Sequence, residues 1–238
     1  MVLSDRAGSG VEAVAERLNA RRPGSAHVVI ADISTEAENA RLVHEARRVA
    51  GRIDLFFANA GVGAGTDIAT AESDWETSFD VNVHAHRWAA KYLVPEWLAL
   101  GKGYFASTAS AAGVLAQIGS APYSVTKHAA VAFAEWLSIT YGARGIKVSC
   151  LCPQGVNTAM LRGGDRPGID TNSGNVVRVA GVVLEPNQVA DMVHDALVAE
   201  RFFIFPHPEV ADYVKVKASE HERWLGGMRK LQRRVFGV

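Results

Sequence analysis

Cysteine is almost missing from this chain: two among 238 residues, Cys150 and Cys152, both inside "KVSCLCP". So few cannot form a disulfide framework. At i and i+2 of an apolar strand they share a face and read as small buried hydrophobes; a metal site would need further ligands close by. Charge of one sign is missing too. Lys and Arg number 25 and Asp and Glu 25, a formal net charge of zero, which gives no reason to expect nucleic acid or an anionic membrane as partner. No apolar run approaches the roughly 20 residues that cross a bilayer, and no signal-peptide pattern opens the chain. There are no repeats and no low-complexity tracts. The expectation is a cytoplasmic protein of one domain over residues 1–238, long enough for a sizeable core.

What is present is alternation. Short apolar runs are separated by longer amphipathic stretches, the pattern of strand–helix units in a parallel sheet. "MVLSD", "HVVIAD", "IDLFFANAG", "GYFAST", "IKVSCLC" and "RFFIF" read as strands. Helices are expected over "SGVEAVAERLNARR", over "STEAENARLVHEARRV" with Ser34 as N-cap, and as one long helix through "DWETSFDVNVHAHRWAAKYLVPEWLAL". Another carries "SVTKHAAVAFAEWLSITYG", a further one places Val189, Met192, Val193, Ala196 and Leu197 on one face, and a terminal helix closes the chain. Residues 162–181, rich in Gly, Asp and Asn, read as a loop. The fold class is α/β, a doubly wound parallel sheet.

"YSVTK" sets Tyr123 and Lys127 four apart, on one face of a helix start. An ammonium near a phenol favours the phenolate and so suits it to acid–base work. Thirteen residues earlier, Ser110 follows a strand in "STASAAG", and ligands bind at the carboxyl ends of parallel strands. Asn82 in "FDVNVHA" sits inside a helix, where a short amide is unfavourable without a task.

With "ANAG" after a strand and "PQGVNT" after a later one, these pieces stand in the order and spacing of the short-chain dehydrogenase/reductase family, which the chain resembles over nearly its whole length. The resemblance implies an oxidoreductase passing hydride between a secondary alcohol or ketone and a nicotinamide, with NAD or NADP as cofactor. It implies that Tyr123 exchanges the substrate proton, that Lys127 lowers the tyrosine pKa and holds the ribose, that Ser110 orients the substrate oxygen, and that Asn82 holds a relay water. Asn59, Ala60, Gly61, Pro153, Gly155, Val156 and Thr158 would line the cofactor. Two departures stand out: Ala58 replaces the first asparagine of the family's "NNAG", and Gln154 interrupts its Pro-Gly pair. A homodimer or homotetramer is implied, built partly through the helices of Tyr123 and Asn82, with Phe133 and Trp136 as core or interface.

The family opens with a strand, a glycine-rich turn and a helix that receives the pyrophosphate. Here "SDRAGSGVE" would be a poor glycine turn, with Arg6 and Glu12 where glycines belong. Spacing favours the alternative that "MVLSD" is the family's second strand. Asp5 then meets the adenosine ribose, and Asp32 with Ile33 meets the adenine. A carboxylate at the ribose selects NAD over NADP, and Arg6 softens that choice. On this alignment the native chain is expected to carry about thirty more residues, one strand–helix unit, before Met1.

The rival class is a non-catalytic binding or assembly protein that keeps the fold. The expected substrate is a small, mostly apolar alcohol or ketone, with Leu115, Ile118, Met160, Leu161 and Val177 as pocket walls and residues 162–181 as a cap. His84 and His86, two apart on a helix, face different ways and suggest no metal. "RKLQRR" reads as a solvated basic helix face.

Overall fold

The computed structural model describes residues 1–162, 176, 177 and 181–237. The loop expected to cap the pocket therefore lies mostly outside the described residues. The chain runs β1 (Val2–Asp5), α1 (Gly8–Arg21), β2 (His27–Ile30), α2 (Glu36–Ala50) and β3 (Leu55–Ala58). Next come α3 (Glu72–Phe79), a π-helical turn (Asp80–His84), α4 (Ala85–Leu100), β4 (Gly103–Thr108), α5 (Ala121–Tyr141) and β5 (Ile146–Leu151). Then follow α6 (Ala159–Arg162), α7 (Pro186–Val198), β6 (Phe203–Ile204), α8 (Glu209–Ser219) and α9 (His221–Phe236).

Every strand pair is parallel, each strand–helix–strand crossover returning the chain to the same end. The ladder is in two parts: β1 pairs with β2, and β3, β4, β5 and β6 pair in that order. The parts are joined by helices. On α2 and α4, Arg47 donates to the Tyr92 carbonyl at 2.8 Å and pairs with Glu96 at 2.6 Å, while the Tyr92 hydroxyl donates to Glu36 at 2.9 Å.

Alternation along β5 shows how both sheet faces are covered. Val148 and Cys150 belong to the main core with Leu93 and Trp97 of α4 and Ala130, Ala134 and Leu137 of α5. Leu151 points the other way, into a cluster with Ile204 and with Val189 and Ala196 of α7. Burying each large side chain of this kind stabilises the fold by about 1.5–3 kcal/mol. The free thiols of Cys150 and Cys152 are buried on one face with their sulfurs 3.9 Å apart, as small hydrophobes on a strand would be. The result is the doubly wound α/β architecture.

Several local expectations need correction. Thr35, not Ser34, caps α2: its backbone is extended and its Oγ1 accepts the Glu38 N–H at 3.3 Å, while the Ser34 N–H is held by Asp32 Oδ1 at 3.1 Å. The long helix before β4 is interrupted by the π-helical turn at Asp80–His84. Met192 leaves the apolar face of α7 and is 40% exposed. "RFFIF" forms only a two-residue strand, with the Phe203 and Phe205 rings stacked and Phe202 edge-on to Phe203. The terminal helix is two helices meeting at Glu220, whose φ of −135° and ψ of 56° are not helical.

Candidate active site

The carboxyl ends of the strands open on one cavity of about 2100 Å³. It also runs along the β1 and β3 edges, from Met1 and Asp54 at one end to Asp5 and Ala58 at the other. Asp5, Arg6, Asp32, Ile33, Asn59, Ala60, Gly61, Ser110, Tyr123, Lys127, Pro153, Val156 and Thr158 all line it. Asn82 and Gly155, also named from sequence, stand behind the wall.

Asn82 explains the π-helical turn. A π turn admits one extra residue and re-aims a side chain, and here it turns the Asn82 amide inward, fully buried. Its Oδ1 accepts the Val62 N–H at 2.9 Å; its Nδ2 donates to the Val62 carbonyl at 3.0 Å and to Thr126 Oγ1 at 3.1 Å. One amide thus ties the small-residue turn after β3 to α5. That turn needs Gly61: a Cβ there would lie 3.1 Å from Lys127 Nζ and 3.2 Å from Asn82 Oδ1.

Helix α5 starts at Ser120, in extended conformation, with Pro122 in the first turn where its missing N–H costs nothing. Tyr123 and Lys127 then follow on successive turns. Lys127 is 2% exposed and donates to the Thr108 carbonyl at 3.0 Å. Burial lowers its pKa to about 8. Its ammonium lies 5.6 Å from the centre of the Tyr123 ring.

The two partners differ from the sequence expectation in one respect. Burial pushes the Tyr123 phenol above its ordinary range, and the nearby Ser110 hydroxyl pulls it part of the way back. The ammonium donates to the Thr108 carbonyl and lies over the Tyr123 ring.

Ser110 leaves β4 in extended conformation and caps the short 3₁₀ turn Ala111–Gly113, its Oγ accepting the Ala112 N–H at 3.1 Å. The Pro153 carbonyl receives the Ala111 N–H at 2.8 Å and the Ser110 hydroxyl at 3.4 Å. Gly113 lets this turn lie against α5, since a Cβ there would fall 2.5 Å from the Lys127 carbonyl oxygen.

After Pro153 the chain is held by His207, which is 2% exposed. Its Nδ1 accepts the Gln154 N–H at 3.1 Å, which leaves Nε2 to donate to the Val182 carbonyl at 3.1 Å. Gly155 accepts the Leu184 N–H at 2.9 Å and packs on Val177 and Val183. Thr158 donates its N–H to the Val156 carbonyl at 2.7 Å.

At the far end Asp5 Oδ1 accepts the Ala7 N–H at 3.0 Å. Hydrogen bonds from Ser34, helped by Arg6, hold the Asp32 carboxyl below the usual range. Asn59 Oδ1 accepts the Thr108 hydroxyl at 2.9 Å.

Of the expected pocket walls, Leu115, Met160, Leu161 and Val177 line the cavity and Ile118 does not. Sequence reasoning missed the opposite wall, from α8 and α9: Tyr213, Val216, Trp224, Met228 and Leu231. The spacing of Trp224, Met228 and Leu231 at i, i+4 and i+7 was the available signal. It also missed His86, fully buried at the cavity edge with neither ring nitrogen hydrogen-bonded to a described residue. Burial, with the Lys127 charge nearby, lowers the His86 pKa to about 3.

Residues 1–166 match the short chain dehydrogenase family, and the chain belongs to it; members are NAD(P)-dependent oxidoreductases. It is 30% identical to 17-beta-hydroxysteroid dehydrogenase 13 of Rattus norvegicus, over 99% of this chain and 76% of that protein. It is 32% identical to 1-deoxy-11-beta-hydroxypentalenate dehydrogenase of Streptomyces avermitilis, over 88% of this chain and 76% of that one. Among solved structures, a short chain dehydrogenase/reductase from Burkholderia phymatum in complex with NAD superposes with a TM-score of 0.83 at 26% identity, covering 93% of this chain and 84% of that chain. A short-chain dehydrogenase from Sphingobium yanoikuyae in complex with NADPH shares the fold, with a TM-score of 0.76 at 21% identity over 96% of this chain and 85% of that one.

Proposed function

We propose that this protein interconverts a secondary alcohol and its ketone, with NAD as hydride carrier and Tyr123 as the acid–base. The observation that carries the reading is the meeting of Ser110, Tyr123 and Lys127 on one cavity wall at the carboxyl ends of β4 and β5, with the Lys127 ammonium 5.6 Å from the Tyr123 ring centre. A serine hydroxyl near the phenol can recognise a substrate oxygen placed between them.

The residues suit a nicotinamide dinucleotide. Gly61 supplies a side-chain-free approach beside Lys127 and Asn82. Asp5 and Asp32 put two carboxylates at the other end of the cavity, where a ribose diol and an adenine amine would be received. A carboxylate at Asp5 favours NAD, because a 2′-phosphate would be repelled. A nicotinamide held there by these residues would supply the hydride chemistry.

The chain's own residues do the rest. Ser110 fixes the substrate oxygen. Tyr123 takes its proton when alcohol is oxidised and returns it when ketone is reduced. Lys127, cationic at neutral pH with a pKa of about 8, would hold the ribose hydroxyls of the cofactor. Asn82 holds Val62 and Thr126 in place beside Lys127. With NAD as partner, alcohol oxidation is the favoured direction. Exposed Trp136 and Ile139 on α5 suit an interface between two copies of the chain.

Replacing Tyr123 by Phe tests the reading. The variant should keep its fold and its NAD affinity and lose about 10²–10⁴-fold in kcat. Turnover equal to wild type would remove Tyr123 from the mechanism and favour a fold retained for binding alone.

A further inference from the structure

Six residues of α9 line the cavity: Arg223, Trp224, Gly227, Met228, Leu231 and Arg234. They recur at i, i+1, i+4, i+5, i+8 and i+11, one helical stripe. The stripe is apolar in the middle and carries an arginine at each end, about 16 Å apart at 1.5 Å rise per residue.

The two arginines are not equivalent. Arg223 is paired with Glu220 at 2.7 Å. Arg234 has no ion pair or hydrogen bond with any described residue. The acids lining the cavity, Asp5, Asp32 and Asp54, all lie on the β1, β2 and β3 side. No described acid lines it beside Arg234. The nearby Lys217 cannot serve, because its ammonium is already spent on the Val114 carbonyl at 2.9 Å, the Leu115 carbonyl at 3.0 Å and His128 Nε2 at 3.2 Å. Among the described residues of this wall, Arg234 is the cation left without a partner, next to the apolar middle of the stripe.

We infer that the substrate is an amphipathic anion: an apolar body laid along Trp224, Met228 and Leu231, with a single carboxylate held by Arg234. A guanidinium offers a planar pair of donors that fits a carboxylate, a stronger contact than any neutral donor gives. The end of α9 that carries Arg234 is seated on the segment leading into α5, since a Cβ on Gly119 would lie 2.8 Å from the Phe236 ring. The carboxylate reader is thus fixed to the element that carries Tyr123. The inference rests on the oxidoreductase reading for the substrate's alcohol, and on the cavity wall alone for its charge.

Two matched probes test it: 7-hydroxyoctanoate, and 2-octanol, the same secondary alcohol without the carboxylate. With NAD and the full chain, wild type should prefer the acid by about tenfold or more in kcat/KM, the worth of one charge-assisted hydrogen bond. Arg234→Gln should lose that preference, chiefly through KM for the acid; Arg233→Gln, one residue off the stripe, should keep it. Equal use of both probes by wild type, or a preference that survives Arg234→Gln, overturns the inference and leaves the oxidoreductase reading standing. A calorimetric titration with octanoate and octanamide needs no turnover. Tighter binding of octanoate that vanishes in Arg234→Gln supports the anion site even if neither alcohol is oxidised, in which case the proposed reaction fails instead. Equal binding of the two overturns the anion site.

Discussion

Lys127 and Asn82 approach the same point from two helices. The position a Cβ would take on Gly61 is 3.1 Å from the ammonium and 3.2 Å from the amide oxygen. The smallest residue of the β3 turn is therefore what allows the buried cation and the buried amide to share a wall.

Gly61→Ala should separate catalysis from stability. The added methyl displaces the Lys127 ammonium, the movable end of a flexible chain, by a few tenths of an ångström. A misplacement well short of 1 Å should lower kcat/KM by about tenfold with little change in the urea midpoint. An unchanged rate would mean that this contact does not set the reacting geometry.

Lys127 predicts a pH dependence of stability. Its folded pKa of about 8 lies below the ordinary 10.5, so between those values the unfolded chain holds a proton that the folded chain has released. Stability contributed by this group rises with pH through that window. Lys127→Met should be inactive, more stable than wild type below pH 8, and should lack the rise. Parallel urea curves for the two proteins from pH 7.5 to 10.5 would contradict it.

How much of this was legible without coordinates depends on the kind of interaction. Ser110, Tyr123 and Lys127 were readable because their chemistry fixes residue type and spacing together. Asn82 was noticed as an ill-fitting helix residue, but the π-helical turn that accommodates it is a backbone rearrangement with no sequence mark. Thr35 and Ser34 are adjacent and equally able to cap, and only the Asp32 bond to Ser34 decides between them. The break at Glu220 has neither Gly nor Pro to announce it. The wall made by α8 and α9 depends on where the end of the chain returns, a tertiary fact; of its two helices the sequence reading took up only "RKLQRR", as a basic, solvated face.

His207 carries a further expectation. Its removal as His207→Leu leaves the Gln154 N–H and the Val182 carbonyl without their partner, at a cost of about 1–3 kcal/mol. His207→Asn, which keeps an acceptor for Gln154, should recover part of it. Thermal unfolding of the three proteins gives the order; equal loss in both variants would show that packing, not the hydrogen bond, is what matters there.

Helix α9 holds two adjacent glycines, and a Cβ on Gly226 would meet nothing within 4 Å. Gly226→Ala should therefore stabilise by up to about 1 kcal/mol through helix propensity alone, seen as a higher Tm. A lower Tm would mean that the helix needs to bend at that pair.

The Lys217 ammonium grips the Val114 and Leu115 carbonyls just beyond Ser110, and touches His128 one residue beyond Lys127. That clasp comes from α8, made after every strand of the sheet. The serine turn of β4 is therefore held from a helix about 100 residues further along the chain. The reactive end of the sheet thus depends on the far end of the chain: without Lys217 the turn that carries Ser110 would lose the clasp that ties it to the helix of Tyr123.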